Sequence, residues 1–146
     1  MIMLLKNNLI AIFIHICICF ILLLPFIVIY NGTTGKFVFL TSGVFTIIAF
    51  FLYYWSGMKF LSNTHSILAN IFSVILLFVI VLVALLVAYD TQWERIIRLP
   101  FTLFGWIVSH FIGIESNSHK EKYVFMVMLI FPSLAMWLGL ITKRTP

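Results

Sequence analysis

The sequence predicts an all-α integral membrane protein: four transmembrane helices in an antiparallel bundle, with a short surface helix and a half-inserted or interfacial helix between helices 3 and 4. Three observations predict it. First, 64% of the 146 residues are hydrophobic and only 9% are charged, whereas a soluble domain carries about a quarter charged residues. Second, the nine basic and four acidic residues gather in short clusters between long apolar runs. Third, residues 9–30, 37–55 and 67–89 contain no Asp, Glu, Lys or Arg. Each is close to or above the roughly twenty residues that a ~30 Å hydrocarbon core requires of a helix. Residues 123–141 form a fourth run, just long enough. The polar connections are too short to hold a soluble domain, so residues 1–146 read as one membrane domain.

The run at 9–30 has Lys6 ahead of it, but it is longer than the 7–15 apolar residues of a signal peptide. No small-residue cleavage site precedes the polar loop, so the run is expected to be a retained helix. Cys17 and Cys19 lie within it. Two positions apart on a helix they point in nearly opposite directions, which disfavours a disulfide or a shared metal. They read as small buried hydrophobes.

"YNGTTGKF" supplies Asn31, Gly32 and Gly35 to a tight reversal, so the first two helices are expected to form an antiparallel hairpin. Asn31-Gly32-Thr33 also matches a glycosylation sequon, but its place in a turn at the membrane edge favours the turn reading. The second run ends in "YYWSG", with Gly57 as the expected C-cap, and "SNTHS" offers N-caps for the third helix. Tyr30, Tyr53, Tyr54, Trp55, Tyr89, Trp93 and Tyr123 fall at run ends, where aromatic rings prefer the headgroup level.

Two stripes of small or polar residues recur at helical spacing: Ser42, Thr46, Ala49 and Tyr53 on helix 2, and Met128, Pro132, Ala135 and Gly139 on helix 4. Such stripes let helices approach closely in lipid. Pro132 is expected to kink helix 4. The third run is apolar all round, with Asn70 and Ser73 alone offering polar contacts near its start.

Between helices 3 and 4, Thr91 and Glu94 fit a capping box, and Glu94 and Arg98 stand four apart in the favourable order for an ion pair. Pro100 then breaks this surface helix and suits the first turn of another. From Pro100 to Gly113 the second piece is about 21 Å long at 1.5 Å per residue. That is too short to span, so residues 92–113 read as interfacial or re-entrant.

With four crossings and both termini cytoplasmic in the cell membrane, Lys6, Lys59, Lys143 and Arg144 lie inside. Lys36, Arg95, Arg98, Lys120 and Lys122 lie outside, together with all four acids. The basic count alone does not favour this orientation, but five crossings score no better. The net charge of +5 is spread over separate loops, whereas nucleic-acid binding gathers bases on one face. No nucleic-acid partner is expected.

The chemistry is defined largely by what is missing. No Asp, Glu, Lys or Arg lies deep in a predicted span, and such a group is the coupling device of proton-driven exporters and pumps. GxSxG, HExxH and a paired intramembrane Asp are absent. The embedded ionisable groups are His15, on one face with Cys19, and His110, beside Ser109. Helix-packing hydrogen bonds are the preferred reading of both, ahead of haem, metal or proton relay. Glu115, His119 and Glu121 match no metal spacing, and neither metal nor cofactor is expected.

Gly105, Ser109 and Gly113 form an extended small-residue pattern that suits either internal packing or docking of a partner helix. Asp90, Glu94, Arg95 and Arg98 form a headgroup-level cluster able to touch a phosphate, though a self-neutralised surface helix accounts for it better.

Three functions remain. The first is a non-catalytic protein acting through helix–helix contact with another membrane component, as an accessory subunit or immunity-type protein. The second is an oligomeric channel or carrier for a small solute. The third is a membrane enzyme acting on lipid or quinone. The sequence favours the first and leans away from an enzyme. Expected partners are membrane lipid and either a membrane protein or further copies of the chain.

Overall fold

The computed structural model describes residues 2–32, 36–64, 66–87, 123, 127 and 129–143. Nearly all of these are helical, and no strand occurs among them. Among the described residues five helices follow in order: α1 (Ile2–Gly32), α2 (Lys36–Phe60), α3 (Ile67–Phe72), α4 (Ile75–Val87) and α5 (Ile130–Thr142). The predicted surface and interfacial helices at 92–113 lie outside the described residues.

Two segments, Ile2–Leu22 of α1 and Gly43–Phe60 of α2, are long and apolar enough to cross a membrane. Helices α4 and α5 have 13 residues each, about 20 Å at 1.5 Å per residue.

α1 begins at Ile2 rather than near residue 9 and draws Asn7 and Asn8 into the helix. Its inward face is Asn7, Ala11, Ile14, Ile18 and Leu22, with Asn8 and His15 alongside. Leu5, Leu9, Phe13, Ile16 and Phe20 are exposed. Both faces are apolar, so the burial follows a helical period that hydropathy does not display.

α2 runs antiparallel to α1: Asn7 meets Ser62, and His15 meets Tyr53. Gly57 does not end the helix, which continues to Phe60. An added Cβ on Gly57 would meet the Met136 backbone of α5. Gly139 answers from α5, where a Cβ would strike the Tyr54 carbonyl oxygen and the Met58 nitrogen. These two glycines allow the backbones of α2 and α5 to touch, and α2 and α5 form the most extensive helix pair. Both predicted stripes contribute to the core through Ala49, Tyr53, Pro132, Ala135 and Gly139; Met128 lies outside the described residues.

Pro132 stands in the first turn of α5, after a turn at Leu129. A missing N–H costs little in a helix's first turn, which has orphan donors anyway.

The third apolar run is not one helix. A turn at Ser73–Val74 divides it into α3 and α4. Ser66 caps α3, its side chain accepting from the Ala69 amide.

The start of α1, the end of α2, the start of α3 and the end of α5 share one end of the bundle. Asn7 bonds both Ser62 and Ser73 there, and Lys143 Nζ donates to the Leu61 carbonyl at 3.0 Å. At the opposite end Leu85 of α4 packs with Leu129, just before α5. α4 therefore finishes, and α5 starts, at that same far end.

Candidate functional site: a broken helix beside an apolar cavity

The break in the third run is built around Asn8. In an unbroken helix the Phe72 carbonyl would accept from the Leu76 amide, four residues on. Instead Asn8 Nδ2 donates to the Phe72 carbonyl at 2.8 Å, and Asn8 Oδ1 accepts from the Leu76 amide at 3.2 Å. One carboxamide thus replaces both halves of the missing rung, the kind of side-chain insertion that interrupts helices. Asn8 Nδ2 also donates to the Leu4 carbonyl at 2.9 Å, so the inserted amide uses both its hydrogens. From the other side, Ser133 Oγ of α5 donates to the Val74 carbonyl at 2.9 Å. The break is held by α1 and α5 together.

Asn7 anchors the next layer. It donates to the Ser62 carbonyl at 2.8 Å and to Ser73 Oγ at 3.2 Å, and it accepts from the Ser62 amide at 3.1 Å. Ser73 Oγ passes its own hydrogen to the Ala69 carbonyl. Asn70 Oδ1 accepts from the Thr64 amide and hydroxyl, and Asn70 Nδ2 donates to Asn63 Oδ1 at 2.9 Å. Buried amides need such partners, because an unmatched group in an apolar interior costs about 1–3 kcal/mol.

Beside the break, between the α3–α4 junction and α5, lies a partly open cavity of about 220 Å³. Ile71, Val74, Ile75, Ile130, Leu134 and Trp137 form most of its wall, and the wall presents only carbon. Trp137 Nε1 is buried with no acceptor among the described residues, and it is not part of that open wall.

His15 is buried at the α1–α2 interface. Its Nδ1 lies 2.8 Å from Tyr53 Oη, and the two rings stack at 5.9 Å between centroids. Tyr53 is only 2% exposed. It therefore sits inside the bundle, and α2 continues two turns beyond it. Cys19 Sγ is 3.5 Å from His15 Nε2 and 3.8 Å from Nδ1. Near-equal distances to both ring nitrogens put the sulfur off the lone-pair axis of either. It packs against the ring and is not aligned to share a metal with it. Among the described residues no three His, Cys, Asp or Glu side chains gather into a metal-holding group.

Trp55 lies near the end of α2. It is exposed, with Lys59 Nζ 4.6 Å from its ring centroid, a cation–π contact.

The other sequence candidates (Gly105, Ser109, Gly113, His110, Asp90, Glu94, Arg95 and Arg98) lie outside the described residues, so His15 is the one that the structure places. Asn8 and Ser133 were not among the sequence candidates. Their signal is plain afterwards: each is a polar residue with predominantly apolar neighbours, and such a residue in a membrane helix faces a partner.

No known protein family, curated protein or solved structure matches this chain.

Proposed function

We propose that this chain is a small multi-pass membrane protein with four crossings, which catalyses no reaction. It acts by helix-to-helix contact with another membrane component, in the manner of an accessory subunit or an immunity-type protein. Both termini face the cytoplasm from the cell membrane.

One observation carries the proposal. The embedded polar groups Asn7, Asn8, Asn70, Ser73, Ser133 and the His15–Tyr53 pair all bond other parts of the same chain. Asn70 ties down the loop before α3 and the other groups join helices, so the outward helix faces are the parts left to act on a partner. Four crossings are supported by the bundle's ends. α1 starts and α5 finishes at one end, while α4 finishes and α5 starts at the other. A fifth crossing within residues 88–128 would separate the end of α4 from the start of α5. Lys6, Lys59 and Lys143 gather at the first end, which this proposal assigns to the cytoplasmic face.

The partner is identified by cross-linking in native membranes. The expected result is one specific membrane protein, lost or weakened with Gly105→Leu or Ser109→Leu. Recovery of this chain alone turns the proposal toward a homo-oligomer, and association untouched by both substitutions removes that docking face.

The channel or carrier reading draws on one observation, the interrupted helix beside a cavity, an arrangement that carriers use. The all-carbon wall offers an ion nothing to replace its hydration, which leaves this reading second. Flux of a small solute through reconstituted protein would reverse the order.

A further inference from the structure

The cavity beside the broken helix is lined by carbon, yet it lies against a polar junction. Ser133 Oγ is engaged with the Val74 carbonyl and the Asn8 amide with Phe72 and Leu76, while Trp137 Nε1, which has no acceptor among the described residues, is buried away from the open wall. Water has no partner on such a wall, and apolar cavities of this kind stay dry. A polar or charged ligand would lose its hydration there without replacement.

Depth narrows the occupant further. The polar end of the bundle is marked by Lys143, bonded to Leu61, and by Ser66 at the start of α3. Trp137 precedes Lys143 by six residues, and Val74 follows Ser66 by eight, so the cavity begins about 9–12 Å along the helices from that end at 1.5 Å per residue. At this distance below a headgroup layer a bilayer offers hydrocarbon. The rim opens outward, with Ile75, Ile130 and Leu134 at 36%, 44% and 38% exposure. An unfilled cavity forfeits the dispersion contacts of its lining atoms, and a hydrocarbon chain entering through this outward rim would restore them.

Resting on the membrane reading proposed above, we infer that this cavity is a binding site for one hydrocarbon chain of a bilayer lipid, held between the α3–α4 junction and α5. Trp137 reports on it directly, because its ring forms part of the wall.

The experiment uses full-length protein with Trp55, Trp93 and Trp106 replaced by Phe, reconstituted in phosphatidylcholine vesicles. A rising fraction of the lipid carries a brominated acyl chain, which quenches a tryptophan in contact with it. Trp137 fluorescence is expected to be quenched. Ile71→Phe, which fills the cavity, is expected to reduce quenching at least twofold with helical content unchanged. Ile75→Phe, from the next turn, serves as a second filling variant should the first fail to fold, and Leu134→Ala keeps the quenching by enlarging the cavity.

Equal quenching with and without the filling side chain overturns the inference, because Trp137 then meets lipid elsewhere. Absence of quenching in protein that floats with the vesicles also overturns it, and gives the cavity to another part of this chain or to a second copy. Protein that fails to float with the vesicles defeats the membrane reading itself.

Discussion

Two helix junctions are built by opposite means. Where α2 crosses α5, side chains are removed: Gly57 and Gly139 let backbone meet backbone, and a single Cβ on either would strike the other helix. Where α1 meets the α3–α4 break, side chains are added: Asn7 and Asn8 reach into another segment and take over its backbone hydrogen bonds. Apolar surface gives little direction to helix association in lipid, because lipid is as apolar as leucine. Close packing and interhelical hydrogen bonds then remain. Close backbone packing leads at the first junction, to which Tyr54 and Thr142 add one hydroxyl–hydroxyl hydrogen bond, and side-chain hydrogen bonds lead at the second, so the two should fail differently.

Gly139→Leu should have the largest effect. The first added carbon already overlaps the Tyr54 carbonyl and the Met58 amide, which belong to rigid helical backbone. A loss at or beyond the top of the ~1–3 kcal/mol range for overpacking is expected, read as a drop in unfolding midpoint in detergent. Gly43 sharpens the contrast, since a Cβ there meets nothing within 4 Å. Gly43→Ala should be neutral or stabilising by up to about 1 kcal/mol.

Asn8→Leu should come next. It strips partners from the Phe72 carbonyl and the Leu76 amide, at about 1–3 kcal/mol for a group left unpaired. Ser133 still holds the Val74 carbonyl, so the break is expected to persist and the Leu76 amide to exchange faster with solvent deuterium. A slower Leu76 amide would mean that the rung closes and that α3 and α4 fuse, against the role given to Asn8. Tyr53→Phe removes only the hydroxyl facing His15, and a loss of about 0.6 kcal/mol is typical of an interhelical hydrogen bond in a membrane. Trp137→Phe should change stability least. The donor it removes has no acceptor among the described residues, so relief of that group offsets lost packing.

Much of the helical layout was legible in the hydropathy alone. The runs at 9–30, 37–55 and 67–89 overlap α1, α2 and the α3–α4 pair, and the small-residue stripes mark close-approach faces on α2 and α5 without saying that the two meet. The break at Ser73–Val74 was not legible, because nothing local causes it. Neither Pro nor Gly interrupts residues 67–87, and the inserting Asn8 lies more than sixty positions away. Gly57 was misread for another reason: a glycine near a run's end suits a C-cap or a close crossing equally, and only the partner helix decides. In α1 both faces are apolar, so hydropathy does not distinguish the inward one. Of the candidate site, His15 was visible as an isolated imidazole in an apolar run. Asn7 and Asn8 were passed over because the run was started at Leu9, immediately after them.

The proposed function requires four traverses, which would bring the first and last helices back to one side. The direct measurement is labelling of single cysteines by a membrane-impermeant maleimide, in a Cys17→Ser, Cys19→Ser background, with intact cells and inverted vesicles compared. Lys6→Cys, Lys59→Cys and Lys143→Cys should all label from the cytoplasmic side and Lys36→Cys from the opposite one. Labelling of Lys6→Cys and Lys143→Cys from opposite sides would contradict the account.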